Sequence, residues 1–240
     1  MKIITGTIEE LDALVAQEFV KVVNKKPNAV LGLATGTTPI GVYANLSKMC
    51  KEHKVSFTGV KTYNLDEYKG IDPENDQSYR YFMNKYLFSG IDVKIENTHV
   101  LSGKIASDAE AEKYDEEIAN AGGIDIQILG IGSNGHIAFN EPGTKFDSKT
   151  HIVALTESTI KDNSRLFKSI DEVPTHAITM GLATIMKAKK IVLVAYGKNK
   201  ALAIKKLIED EPSESLPCSI LKKHPDCTIY VDEDAYSLMK

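Results

Sequence analysis

Apolar residues recur along this chain in two rhythms. At Leu11, Leu14, Val15, Phe19, Val22 and Val23 they return at helical spacing. This run follows Thr7-Ile8-Glu9-Glu10, a capping box in which a threonine hydroxyl and a glutamate three residues on satisfy backbone N–H groups reciprocally, so a first amphipathic helix is predicted. Residues 29–34, 60–65, 124–129, 191–195 and 228–231 instead form short continuous apolar-rich runs, the pattern of strands buried on both faces. Helical spacing resumes at Val42, Leu46 and Met49 and over about 79–88, 106–120, 156–167 and 198–209. Strands alternating with helices predict an α/β fold: one domain over residues 1–240, with a mainly parallel sheet and helices on both faces. No repeat, low-complexity segment or linker interrupts it, and residues 211–215 read as an exposed loop.

Sheets of this kind bind ligands beyond the carboxyl ends of their strands. Three predicted strand ends carry suitable residues: Thr35 to Thr38, Asp66 to Tyr68, and Gly130 to Glu141. The third is the most specific. Its sequence Gly130-Ile131-Gly132-Ser133-Asn134-Gly135-His136-Ile137-Ala138-Phe139-Asn140-Glu141-Pro142-Gly143 fits G-x-G-x-x-G after a strand. A dinucleotide site, however, needs a helix to begin at the last glycine, and Pro142 and Gly143 end any helix within two turns. The turn is better read as a device that aims His136 and Glu141 at a small molecule.

Composition narrows the classes of partner. The chain has 240 residues, 42% hydrophobic and 26% charged, which suits a globular protein. Its net charge is −4 and its lysines are scattered, so there is no electrostatic footprint for nucleic acid or an anionic membrane. The N-terminal Met1-Lys2-Ile3-Ile4 lacks the apolar core of a signal peptide, and no run is long enough to span a bilayer. Cys50, Cys218 and Cys227 match no metal spacing and are odd in number, which fits a reducing cytoplasm. H-E-x-x-H and EF-hand patterns are absent, so no metal is expected.

At the first strand end, Thr35-Gly36-Thr37-Thr38-Pro39 combines a flexible glycine, hydroxyls and a helix start, which is either a phosphate cradle or a plain capped turn. Only two arginines, Arg80 and Arg165, stand among many lysines, which suggests that each serves as a planar fork. Arg165 follows Asn163-Ser164 in a predicted helix, and Lys200 follows the 191–195 strand at another helix start; each is an anion ligand or a solvated surface charge. Asp66 and Glu67 read either as a helix-capping pair or as a general base at the floor of a site.

Together, Leu31 to Pro39, Asn64-Leu65-Asp66-Glu67-Tyr68, Gly130 to Pro142, Asn163-Ser164-Arg165 and Lys200-Ala201-Leu202 resemble the glucosamine-6-phosphate deaminases, in order and over essentially the whole chain. The resemblance implies a Rossmann-like fold and a cofactor-free enzyme that converts glucosamine 6-phosphate and water to fructose 6-phosphate and ammonia. By it, Asp66 moves a proton between C2 and C1, while His136 and its partner Glu141 open the sugar ring. Thr35, Gly36, Thr37, Thr38, Arg165 and Lys200 are the implied phosphate pocket. Asn134 stands where longer members carry aspartate and is placed with the catalytic group; Thr37 replaces a second glycine. A segment around 156–169 is expected to act as a mobile lid.

Two other readings share this architecture. A 6-phosphogluconolactonase would lack the Phe139-Asn140-Glu141-Pro142 ending, and a sugar-phosphate sensor of a transcriptional regulator would carry a helix-turn-helix segment, which is not seen. Longer deaminases bind an activating sugar phosphate through an arginine and a lysine where this chain has His151 and Val153. The expectation here is therefore a monomer or small homo-oligomer without that activator site.

Overall fold

In the computed structural model, which describes residues 1–239 other than 165, 166 and 168, the chain opens with a strand that its short apolar pair does not announce, β1 (Lys2–Gly6). The predicted capping box then starts α1 (Ile8–Lys25): Glu10 N–H donates to Thr7 Oγ1 at 3.3 Å and Thr7 N–H to Glu10 Oε2 at 2.9 Å. Leu11, Val15, Phe19 and Val23 are buried along its inner face, whereas Leu14, expected among them, is exposed. Next come β2 (Val30–Leu33), α2 (Ile40–Lys51) and β3 (Lys61–Asn64).

The chain now leaves the pattern that hydrophobicity predicts. Asp66 to Tyr68 do not cap a strand end; they form a strand of their own, β4 (Asp66–Tyr68). After it follow α3 (Tyr79–Tyr86), β5 (Thr98–His99), α4 (Asp108–Asn120) and β6 (Ile126–Leu129). The remainder is β7 (His151–Ala154), α5 (Glu157–Ser164), β8 (His176–Thr179), α6 (Leu182–Ile185), β9 (Ile191–Ala195), α7 (Ala201–Glu209) and β10 (Cys227–Asp232). The predicted helices are trimmed at their ends: α3 gives way to a 3-10 turn at Phe88–Gly90, and α7 is preceded by one at Lys198–Lys200.

Seven strands form an all-parallel sheet in the order β1-β10-β9-β6-β2-β3-β5. Successive strand residues point to opposite faces, and every residue of β2, β6, β9 and β10 is buried, so the sheet is covered on both sides. From β2 the chain builds outward through β3 to β5, then returns to β6 on the other side of β2. The topological switch point therefore lies between β2 and β6, where ligands of open α/β sheets bind.

A second, antiparallel sheet, β4-β8-β7, joins the first at this end. Leu65 is the joint. Its N–H bonds Leu33 O in the parallel sheet at 3.1 Å, and its carbonyl accepts Met180 N–H from beyond β8 at 2.7 Å. A small core of Tyr68, Ile71, Phe139, Leu155 and Ala177 lies against this second sheet. Phe139 stacks on Tyr79 with rings 8° from parallel and 6.2 Å apart.

The turn after β6 is bolted to β8 from two positions. Phe139 N–H donates to Thr179 Oγ1 at 3.1 Å, and the fully buried Asn140 amide donates to Met180 O at 2.9 Å and Ile137 O at 3.0 Å. Asn140→Ala removes both side-chain bonds and leaves Met180 O without that donor. Its unfolding free energy, read from urea titration, is expected to fall by about 1–3 kcal/mol with an unchanged m-value; a loss below about 0.5 kcal/mol would show that the turn is held by other contacts.

Candidate active site

The ends of β9, β6 and β2 lie side by side, so the loops that follow them share one rim of the sheet. At β2, the hydroxyl of the buried Tyr43 accepts Ala34 N–H at 3.1 Å and donates to Ala34 O at 2.6 Å, clamping the strand end just before Thr35. Gly36 then takes φ +92° with open space around it, a backbone state that glycine enters without strain. Gly36 and Thr37 are exposed, Thr35 and Thr38 half-buried. No side chain caps α2, whose first N–H, that of Ile40, turns back to Thr37 O at 3.4 Å. Next to the β6 end, beyond β9, Gly197 N–H is held by both Asp232 carboxylate oxygens at 3.0 Å, and the half-buried Lys200 ends the 3-10 turn that leads into α7.

The turn after β6 brings three of the expected residues into contact. No helix begins at Gly135, as the rejection of a dinucleotide site requires. Gly132 is there for space: a Cβ on it would stand 2.2 Å from His136 Cε1, so only glycine lets the imidazole lie over this backbone. Gly132 N–H donates to His136 O at 2.8 Å, and Cys218 N–H donates to Gly135 O at 2.9 Å from beneath. Ala138 has φ 53°, a left-handed state uncommon outside glycine, in the bend that carries the chain from His136 toward Glu141.

Glu141 is gripped at both oxygens. Asn134 Nδ2 donates to Oε2 at 2.7 Å, and the Thr159 hydroxyl of α5 donates to Oε1 at 2.7 Å. His136 Nδ1 stands 3.5 Å from the same Oε1, an ion-pair separation rather than a formed hydrogen bond. Asn134 also accepts His136 N–H at 3.1 Å through its own carbonyl, so one amide orients both partners. Burial works to raise the Glu141 carboxyl, but the His136, Thr159 and Asn134 contacts outweigh it and hold the group down at about 2. The imidazole is the more open of the two, its side chain 26% exposed against 10% for Glu141.

Asp66 is in the opposite state. It is buried at the start of β4, paired through its backbone to Thr179, the same residue that holds Phe139 of the His136 turn. No donor among the described residues reaches its carboxylate. Burial, reinforced by the negative Glu67 beside it, pushes its carboxyl up to about 8. The two carboxyls at this end of the sheet are thus driven in opposite directions.

The capping reading of Asp66 and Glu67 divides between them. Glu67 does cap a helix, accepting Tyr79 N–H at 2.9 Å and Arg80 N–H at 3.1 Å at the start of α3, whereas Asp66 caps nothing. Arg80 uses its fork on Thr98, Oγ1 at 2.7 Å and O at 2.8 Å, and so ties α3 to β5. Arg165 lies outside the described residues. Tyr43, Asn140, Thr159 and Thr179 were not singled out from sequence; the Thr156-x-x-Thr159 spacing signals a helix start, but nothing local points it at Glu141. Cys50, Cys218 and Cys227 are unpaired thiols, and no helix among the described residues is long and apolar enough to cross a membrane.

Known proteins share both the sequence and the fold of this chain. The sequence model of glucosamine-6-phosphate isomerases/6-phosphogluconolactonase matches residues 5–230. The chain is similar to a glucosamine-6-phosphate deaminase of Thermoanaerobacter pseudethanolicus, 54% identical over 239 residues that cover 99% of this chain and 94% of that protein. It is also similar to one of Bacillus velezensis, 50% identical over 229 residues and 95% of each. The solved structure of a monomeric glucosamine-6-phosphate deaminase superposes with a TM-score of 0.96 at 45% identity, covering 99% of this chain and 100% of that one. A 6-phosphogluconolactonase from Trypanosoma cruzi, at 20% identity and a TM-score of 0.78 over 98% of this chain and 96% of that one, shares the fold alone. With the switch-point rim, the His136 turn and near-complete coverage all in agreement, this chain belongs to the family of glucosamine-6-phosphate isomerases and 6-phosphogluconolactonases.

Proposed function

We propose that the chain converts glucosamine 6-phosphate and water into fructose 6-phosphate and ammonia. The observation that carries this reading is a buried Asp66 that no described donor reaches, set at the same end of the sheet as a Glu141 gripped at both oxygens beside His136. Aldose-to-ketose conversion needs a base strong enough to take a proton from carbon, together with a proton shuttle at the ring oxygen. A buried carboxyl raised to about 8 suits the first task, because a base works best when its pKa lies near the operating pH. An imidazole facing an ionised carboxylate suits the second.

His136 relays the proton as the pyranose opens, with Glu141 supporting the imidazolium that forms and Asn134 orienting both. Asp66 then takes the C2 proton, and the electron pair forms a C1–C2 double bond while the C1 carbonyl pair moves to its oxygen, which takes up a proton. The proton then returns at C1 as the nitrogen lone pair forms the C2 imine and the nitrogen gives up a proton. The resulting C2 imine adds water and releases ammonia, which balances the reaction. The turn Thr35-Gly36-Thr37-Thr38, with Lys200 and Arg165, is assigned to the phosphate; held at that remote end, the sugar presents C1 and C2 to Asp66. Segment 156–169, of which α5 is the described helix, is assigned as the cover over the bound sugar. None of these steps calls on a metal or an organic cofactor.

The pure protein is expected to release ammonia from glucosamine 6-phosphate without added metal. Asp66→Asn should still bind fructose 6-phosphate but stop exchange of the C2 proton with solvent deuterium, because an amide has no basic site at neutral pH. Exchange persisting near the parent rate would remove Asp66 from the mechanism.

The pH dependence follows from the same group. Because the base must be ionised and kcat/KM follows the free enzyme, this ratio should climb with pH and level off above about 8. Stability moves the other way. A carboxyl near about 3.9 in the unfolded chain and about 8 in the folded one binds an extra proton when folded, so its contribution is full below about pH 4 and is lost as the pH rises to 8. Asp66→Asn is spared that loss. Its Tm advantage over the parent should widen between about pH 5 and about pH 8, and an advantage that stays flat would contradict the raised carboxyl.

The chain is further proposed to act as a monomer without activation by N-acetylglucosamine 6-phosphate. Support comes from β7, where His151 Nδ1 is engaged with Lys149 O at 2.8 Å and Val153 packs against the small aromatic core. Neither offers the cationic fork that a second phosphate needs. Steady-state curves should be hyperbolic and unmoved by that sugar; sigmoidal curves that it straightens would overturn this assignment.

A further inference from the structure

The contact between His136 and Glu141 is too long, at 3.5 Å, to fix either group by itself. Glu141 is instead set by the two short bonds on its oxygens. One comes from Asn134, in the same turn. The other comes from Thr159, a buried hydroxyl 18 residues further along, on α5.

The Thr159 bond has a defined direction. Thr156 caps α5: Thr159 N–H donates to Thr156 Oγ1 at 3.3 Å, and Ile160 N–H donates to Thr156 O at 2.9 Å. The Thr156 hydroxyl proton goes to Thr159 Oγ1 at 3.0 Å. Thr159 already accepts that bond and has a single proton of its own, which is committed to Glu141 Oε1 at 2.7 Å. The chain of donors therefore runs one way, from the cap of α5 into the carboxylate that faces the imidazole.

We propose that Thr159 is a positioning residue: its hydroxyl pins Glu141 Oε1 opposite His136 Nδ1 and so keeps the imidazole proton on Nδ1, leaving Nε2 bare toward the sugar. A negative oxygen 3.5 Å from Nδ1 favours the proton on that nitrogen by charge although no hydrogen bond is formed, so the tautomer follows where Oε1 points. Without Thr159, the carboxylate keeps only its Asn134 bond at Oε2 and turns about it. Because the pin sits on α5, the position of that helix is transmitted to the proton relay through one hydroxyl. This inference names a further residue for the reaction proposed above and rests on that reading only for its kinetic arm.

The first test needs no substrate. Protein labelled with 15N-histidine, with the His136 signals assigned by their loss in His136→Gln, is expected to show predominantly the Nδ1–H tautomer when the ring is neutral, and Thr159→Val a mixture of both. Thr159→Ser, which keeps the hydroxyl, should restore the parent spectrum. In kinetics, Thr159→Val should lower kcat by about ten-fold, the worth of one buried hydrogen bond, with KM within about two-fold of the parent. On a Glu141→Gln background the same change should cost less than about two-fold, since a residue acting through Glu141 has nothing left to position.

An unchanged His136 tautomer in Thr159→Val, or an undiminished loss on the Glu141→Gln background, would overturn the proposal. If Thr159→Val fails to fold, Thr159→Ala carries the same comparisons. Should the parent release no ammonia while the tautomer still responds to Thr159, the deaminase reading falls and the positioning role stands.

Discussion

The amide group of Leu65 belongs to two sheets at once, and the site depends on that fact. Its N–H completes the parallel sheet at Leu33 while its carbonyl starts the antiparallel one at Met180. A strand that simply ended here would release Asp66 into solvent, as capped strand ends do in most α/β proteins. The double engagement instead carries the chain straight into β4 and buries the carboxyl at the seam. Everything that makes Asp66 unusual follows from this position: lost water, a like-charged neighbour, and no donor among the described residues.

The same seam supports the second half of the rim. Thr179 pairs with Asp66 through its backbone and holds Phe139 through its hydroxyl, and Asn140 grips Met180 one residue further on. Asp66 and the His136 turn are therefore registered on one strand, β8, and its end, rather than on two independent loops. Rigid support of this kind matters because electrostatic preorganisation works only when the groups do not relax as charge moves. Elsewhere on the rim the Gly36 turn is exposed.

Much of this was legible in the residues. The strands β2, β6, β9 and β10 stand out because burial on both faces writes an apolar-rich run, β3 (KTYN) less so because only its flanking Val60 and Leu65 are aliphatic, and α1 because Thr7 and Glu10 sit at capping distance. β1 was missed: Lys2–Gly6 is an edge strand whose one apolar pair is too short to register. β4 and β8 escaped because DEY and HAIT are brief, mixed in polarity and stabilised by pairing with each other, a long-range fact that no local window contains. The Gly130 to Pro142 turn marked the site by its density of glycine and polar groups. Thr159 did not, since its bond to Glu141 joins residues whose proximity only the folded chain creates.

The edge strand that sequence missed has a consequence in time. Among the described strands β1 pairs with β10 alone, Lys2 opposite Thr228 through Gly6 opposite Asp232, so it finds its partner far later in the chain. At synthesis rates of about 5–20 residues per second, Lys2–Gly6 waits on the order of tens of seconds for that partner to be made. Until then α1 has no β10 to pack upon, and once β10 docks on β9 its other edge stays open to any extended segment until β1 arrives. The edge of β10 is therefore sealed by a strand that has waited for it since early in synthesis.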